Sequence, residues 1–416
     1  MATAWLWWEA GRGSGPIWRC EVRKVLPFRE AYEPVQKSGW AKIERTYQLI
    51  SPLFGGGAEP KQADPVSAVR ASSLKGQLRF WWRAARAGGM SLEDMWKKEA
   101  ELFGAAAGNE GQASPLVIEI EPLSLGQEQF PFYLEPGRGF PKNRSDVAPG
   151  YVAFPLQANK QDPNNYPVRV GVRFRLCLHF PEALRSEIEA AVWAWERFGG
   201  LGGRTRRGFG AVWPEGVNPP DAKTLEAEWD KYVRPGEAPQ GVPSLSGAKW
   251  RVVERSWRDV VQQYQKFRQS RNAGQQPNRP GRSHWPEPDV IRAMLGRSAP
   301  KHSRPIYNPP ILKLPRAQFG LPIVVHFKDR GDPSTRIIPA NPDYERLASP
   351  LVFRPLSEKR SLVLILNTPR TPPGGVRIEN NKTVDTQLTQ AEAKQGYLNT
   401  LLKGEPDPLL AFLKQL

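Results

Sequence analysis

Residues 168–180 constrain the chain more than any other stretch. Apolar side chains recur at every second position, as Val168, Val170, Val172, Phe174, Leu176, Leu178 and Phe180. A period of two over this length is a strand with one face in a core. Pro181 follows, and proline suits the first turn of a helix. Leu184, Ile188, Ala191, Trp195 and Phe198 then recur at helical spacing, and Gly199 stands where a left-handed glycine cap would end that helix. Beyond a glycine-rich loop, Phe209 to Trp213 reads as a short strand.

The same grammar holds upstream. Ala41 to Ser51 alternates, with Ile43, Arg45, Tyr47 and Leu49 on one face, and Pro52 ends it. The stretch Arg70 to Ala84 holds a helix that begins at Ser72 or Ser73, either a good N-cap. Residues 91–103 continue as helix, Pro115 to Pro122 is a strand, and a Gly/Pro/Asn-rich insertion follows. The order strand, helix, strand, strand, helix, strand is the split βαβ, ferredoxin-like plan: an antiparallel sheet with two helices on one face. In the second half, Lys249 to Arg255, Pro322 to Phe327, Leu351 to Phe353 and Leu362 to Leu366 read as strands. Trp257 to Arg268, Gln390 to Leu402 and Leu409 to Leu416 read as helices. The expectation is an α+β chain with two ferredoxin-like (RRM-like) modules in tandem with insertions: 1–220, a linker at 221–247 with a short helical piece near Lys223–Tyr232, and 248–416. The N-terminal Trp5, Trp7 and Trp8 suit no more than an edge strand.

Two modules agree with a length of 416 residues, too long for one ordinary core. The formal net charge of +17 points to a polyanionic partner, most often nucleic acid. The excess is concentrated in Arg251 to Tyr307, where 12 Lys/Arg face 4 Asp/Glu, a net of 12 − 4 = +8. Cys20 and Cys177 make neither a disulfide framework nor a zinc motif, and the four histidines lack metal-ligand spacing. No metal and no cofactor are expected. Without a signal peptide or an apolar run of membrane length, the chain reads as cytoplasmic.

Two stretches carry chemistry. Gly199 to Gly210 holds six glycines, three arginines and no acidic residue. Such a loop can lay backbone N–H groups against phosphates, while Arg204, Arg206 and Arg207 supply charge and bidentate forks. It lacks the Gly-Lys-Ser/Thr ending of a P-loop, and it follows a helix, unlike the dinucleotide fingerprint. The bland reading is a flexible connector with solvated arginines. In the upstream helix, Leu74, Leu78, Trp81 and Ala85 form an apolar stripe beside a basic one, Lys75, Arg79, Arg83 and Arg86. The bland reading there is a solvated basic face, and Trp81 and Trp82 fit a core better than a base-stacking platform.

Ser-Ser-Leu-Lys-Gly-Gln-Leu-Arg at 72–79 and the 199–210 loop together resemble the paired motifs of the RAMP superfamily (repeat-associated mysterious proteins), subunits of CRISPR effector complexes. Leu-Ile-Ser-Pro-Leu-Phe-Gly-Gly at 49–56, Leu-Arg-Phe-Trp-Trp-Arg at 78–83, Ser-His-Trp-Pro-Glu-Pro-Asp at 283–289 and Arg-Ala-Gln-Phe-Gly-Leu-Pro at 316–322 are similar to the first-numbered subunit family of the type III-B (Cmr) complex. The resemblance implies a non-catalytic RNA-binding subunit. Its partners would be the CRISPR RNA near its 3′ end, the target single-stranded RNA and other Cmr subunits. The expected RNA contacts are Arg70, Ser73, Lys75, Arg79, Arg83, Gly200, Gly202, Gly203, Arg204, Arg206 and Arg207. The rival is a metal-dependent or acid/base endoribonuclease using Asp64, Glu59 and His284 or His302. Nothing in their spacing forms a compact cluster, and the resemblance credits target cleavage to a different, repeated subunit.

Overall fold

The computed structural model describes residues 38–106, 111–137, 139–272 and 281–416; Trp5, Trp7, Trp8 and Cys20 lie outside the described residues. β1 (Trp40–Leu49) is followed by α1 (Ala71–Arg86), α2 (Leu92–Phe103) and β2 (Val117–Gln129). A short hairpin, β3 (Phe132–Tyr133) and β4 (Lys142–Asn143), and one helical turn, α3 (Gly150–Ala153), lead to β5 (Val168–Pro181). α4 (Arg185–Phe198) and β6 (Val212–Pro214) complete this half. The sheet order is β2-β5-β1-β6, with every pair antiparallel. That is the order the split βαβ plan requires.

The alternation of β5 does what its period demands. Val172, Phe174, Leu176, Leu178 and Phe180 are buried, while Arg173 and Arg175 between them are exposed. α1 and α4 cover the apolar face with Leu74, Leu78, Trp81 and Ala85 from one helix and Ile188, Ala191, Trp195 and Phe198 from the other. Each such large side chain contributes about 2 kcal/mol by leaving water. Trp81 and Trp82 are core residues.

Two local expectations are corrected. Neither Ser72 nor Ser73 caps α1. The N-cap position is Arg70, in extended backbone and with no capping side chain. The preceding turn, in which Asp64 accepts from the amides of Val66 and Ser67, delivers the chain to the helix earlier. Gly199 is not left-handed either: its φ is −89° and its ψ −161°. Glycine is needed there for space, because a Cβ would sit 2.5 Å from Nε1 of Trp81.

The stretch 221–247, read as a linker, contains α5 (Ala222–Tyr232), whose Leu225 is buried. Glu228 of α5 accepts from Arg197 at 2.7 and 2.8 Å and from Trp193 at 2.9 Å. The next residues bond back to the end of α1, with Arg234 N–H donating to the Ala85 carbonyl at 2.8 Å. β7 (Ser244–Val253), α6 (Trp257–Arg268) and α7 (Glu287–Leu295) follow, then β8 (Ile323–Val325), β9 (Thr335–Pro339), β10 (Leu351–Pro355) and β11 (Ser361–Asn367). The chain ends with β12 (Val376–Ile378), β13 (Thr383–Val384), α8 (Gln390–Ala393), α9 (Gly396–Leu402) and α10 (Pro408–Lys414). These strands form two further antiparallel sheets, β10-β11-β7 and β13-β12-β9-β8. Val260, Tyr264 and Phe267 of α6 and Phe412 of α10 share a core with Phe353, Val363 and Ile365. Residues Gly39–Leu416 hold together as one compact unit. Among the described residues, no helix is long and apolar enough to cross a membrane.

Candidate nucleic-acid interface

The glycines of the 199–210 loop let two chain segments approach closely. Gly203 N–H donates to the Phe54 carbonyl at 2.6 Å, Gly210 N–H to Pro52 at 2.8 Å, and Leu201 N–H to Gly210 at 2.9 Å. A Cβ on Gly202 would lie 2.6 Å from the Phe54 carbonyl oxygen, and one on Gly210 would lie 1.9 Å from that of Leu201. Several amides that a phosphate cradle would use are therefore bonded to main-chain carbonyls. The loop's chemistry rests on its arginines.

Those three arginines share one cavity. Arg204, Arg206 and Arg207 line a space of about 760 Å³ together with Arg268 at the end of α6 and Arg346 of the loop before β10. Among the described residues, no Asp or Glu lines it. Arg206 and Arg207 are fixed by donating to the carbonyls of Ser349 at 2.8 Å and Leu351 at 2.9 Å. Their guanidinium groups lie over aromatic rings, Arg206 at 5.3 Å from the Phe80 centroid and Arg207 at 5.7 Å from Tyr264. Arg204 lies over Phe154 at 5.0 Å, and its Nε is buried with no hydrogen-bond partner. Its backbone is left-handed, with φ 56°, a conformation held against its own preference.

The electrostatics follow from this crowding. Burial, with the charge of Arg207 beside it, pulls the guanidinium pKa of Arg204 down to about 10. The same two causes lower that of Arg206. Like charges held in a partly desolvated space without a carboxylate raise each other's cost. An anion entering the cavity relieves that cost, and an orphaned buried donor such as Arg204 Nε marks where it would bond.

The α1 residues are placed elsewhere. None of Arg70, Ser73, Lys75, Arg79 and Arg83 lines the arginine cavity. Arg79 donates to Glu99 at 2.6 Å and Arg83 pairs with the same carboxylate at 3.3 Å. Arg86 bonds Glu187 at 2.7 Å. Two buried carboxylates, Glu99 of α2 and Glu187 of α4, thus pair three of the four basic side chains of the expected column, Arg79, Arg83 and Arg86. The loop meets the middle of α1, at Phe80 and Trp81, and not its start. Arg268 and Arg346 were missed by sequence reasoning. Arg268 shows only as the last residue of a helical pattern, and Arg346 in a loop gives no signal at all.

Of the residues named for a nuclease, Asp64, His284 and His302 are committed to local structure. Asp64 is held below the usual carboxylate range by the Ser67 amide of its own turn. His284 bonds Ser270 at 2.8 Å and Asn272 at 2.7 Å and stacks on Tyr397. His302 bonds Asp332 at 2.6 Å. Glu59 is exposed.

Residues 46–213 match the model of the RAMP superfamily. The chain is 30% identical over 146 residues to the CRISPR system Cmr subunit Cmr1-1 of Pyrococcus furiosus, a match covering 35% of this chain and 40% of that relative. The crystal structure of apo Cmr1 from the same organism aligns with a TM-score of 0.44 at 16% identity, covering 82% of this chain and 94% of that one. A chain of the type III-B Cmr-beta complex bound to cognate target RNA aligns with a TM-score of 0.44 at 10% identity, covering 89% and 99%. α1, α4, the glycine-rich loop and most of the four-stranded sheet fall within the matched segment, which resembles the RAMP superfamily, and the chain is similar to a Cmr subunit.

Proposed function

We propose that this chain is a non-catalytic RNA-binding subunit of a type III-B CRISPR (Cmr) ribonucleoprotein effector in the cytoplasm. It holds the CRISPR RNA near its 3′ end and helps capture the complementary target RNA, beside other Cmr subunits. In this reading the chain is built of two ferredoxin-like modules, 1–220 and 248–416, joined by 221–247. The β10-β11-β7 sheet with α6 and α10 would be the second module, with three strands of the plan among the described residues. The complex is supplied by the name of the curated relative, a subunit of the Cmr system.

The cavity where Arg204, Arg206, Arg207, Arg268 and Arg346 converge without a carboxylate carries the proposal. Base pairing between guide and target can read the sequence, so the protein need only hold backbone and shape. Arginines do that through phosphates, and the neighbouring Tyr151 and Phe154 offer faces on which bases stack. Photo-cross-linking of RNA in the assembled complex tests it. Cross-links are expected in 199–210 and at Arg268 and Arg346. Cross-links confined to other faces of the chain would overturn the assignment.

A further inference from the structure

The sheet face turned away from α1 and α4 carries a donor set that RNA binding does not use. Cys177 and His179 stand two residues apart on β5, so their side chains share that face. The strand register places Glu119 of β2 opposite Cys177 on one side and Glu44 of β1 opposite it on the other. Sγ of Cys177 lies 3.1 Å from Nε2 of His179, which lies 3.9 Å from a carboxylate oxygen of Glu119. One ligand atom from each of the three lies within 4.8 Å of the others. A tetrahedral zinc ion spaces its sulfur, nitrogen and oxygen ligands roughly 3.4–3.6 Å apart. Small side-chain rotations would bring this set to that spacing.

We propose that Cys177, His179 and Glu119 form a binding site for a zinc-class divalent cation, with a water in the fourth position, since Glu44 across the strand is ion-paired with Lys42. The mixed thiolate, imidazole and carboxylate set suits a borderline-soft ion and not magnesium or calcium, which want oxygen alone. A thiolate and a carboxylate also balance the charge of a divalent ion. Sequence spacing does not reveal the site, because the third donor comes from a neighbouring strand. A second group, His302, Asp329 and Asp332, is equally compact. There, however, Asp332 is bonded by Arg292 and the Ala299 amide, and Asp329 by Lys301. Those carboxylates serve ion pairs.

The test uses the full chain without a polyhistidine tag, stripped by chelator and titrated with Co²⁺, then with Zn²⁺. A single equivalent of Co²⁺ is expected, with a thiolate-to-cobalt absorption band that Zn²⁺ abolishes by displacement. Cys177→Ser and His179→Ala should eliminate the band, and Glu119→Gln should weaken binding by about tenfold or more. His302→Ala should leave binding unchanged. Zn²⁺ should raise the Tm of the parent chain but not of Cys177→Ser. Absence of the thiolate band, or unchanged Co²⁺ affinity in Cys177→Ser, would overturn the proposal and leave Cys177 and His179 a hydrogen-bonded pair only.

Discussion

The guanidinium of Arg354 in β10 donates to the carbonyl oxygen of Gly199 at 2.7 Å, across 155 positions of sequence. Its other acceptors are the carbonyls of Glu196 and Val212, so one side chain ties the end of α4 to β6. A helix leaves its last carbonyls without partners, and here they are buried. Arg354 is itself fully buried, and burial pulls its pKa down to about 9. Arg354→Met leaves three buried carbonyls unsatisfied and is expected to cost about 3 kcal/mol in urea unfolding. A loss below about 1 kcal/mol would show that water replaces the arginine.

Glycines in this chain should divide by their surroundings and not by backbone angle alone. A Cβ on Gly210 (φ 62°) would stand 1.9 Å from the Leu201 carbonyl oxygen, whereas one on Gly216 (φ 76°) would have nothing within 4 Å. Gly216→Ala should cost about 1 kcal/mol, the conformational term alone. Gly210→Ala adds a collision with main chain and should cost roughly 3 kcal/mol or more. Equal losses in thermal or urea unfolding would refute the close-packing role.

Glu187 gives a pH signature. Burial by itself would raise its pKa, but hydrogen bonds from Arg86 and Trp82 outweigh burial and hold it below the ordinary carboxylate value. A lowered folded-state pKa contributes stability that is complete above the unfolded value of about 4.3 and is lost as pH falls through the folded one. Glu187→Gln should therefore be less stable than the parent at neutral pH, with the gap closing below about pH 4. A gap of the same size across that range would mean the charge plays no part.

Arg346 and Arg204 offer the cleanest test of RNA binding, because neither makes the carbonyl bonds that fix Arg206 and Arg207. Arg346 is exposed, so its removal should not unfold the chain. For single-stranded RNA each lost phosphate contact lowers the slope of log affinity against log salt by about 0.7. Arg204→Ala and Arg346→Ala should each flatten the slope, and the double variant more so. Affinity and slope equal to the parent's would remove the cavity from the RNA path.

Much of the first half was legible in the sequence, because each element states its own period. β5 alternates over its whole length, α1 and α4 carry stripes at helical spacing, and together they imply the strand order observed. Charge was less legible. The basic stripe of α1 is plain in the sequence, yet the pairing of Arg79, Arg83 and Arg86 depends on Glu99 of α2 and Glu187 of α4, and pairing across elements leaves no local trace. The cavity was half legible: Arg204, Arg206 and Arg207 stand out among glycines, while Arg346 joins them only through tertiary packing. The N-cap expected at Ser72 or Ser73 failed because the Asp64 turn, and not the best capping residue, sets where α1 begins.

The walls of the 199–210 loop have a consequence for dissecting this chain. The segment that carries the family pattern ends at 213, but Trp257 donates to the Arg207 carbonyl, Phe353 N–H donates to that of Arg206, and Arg354 holds Gly199. A fragment trimmed to the recognisable region would keep every motif and lose the scaffold that shapes its last loop. The stretch of chain that inheritance marks is thus shorter than the stretch that must fold together.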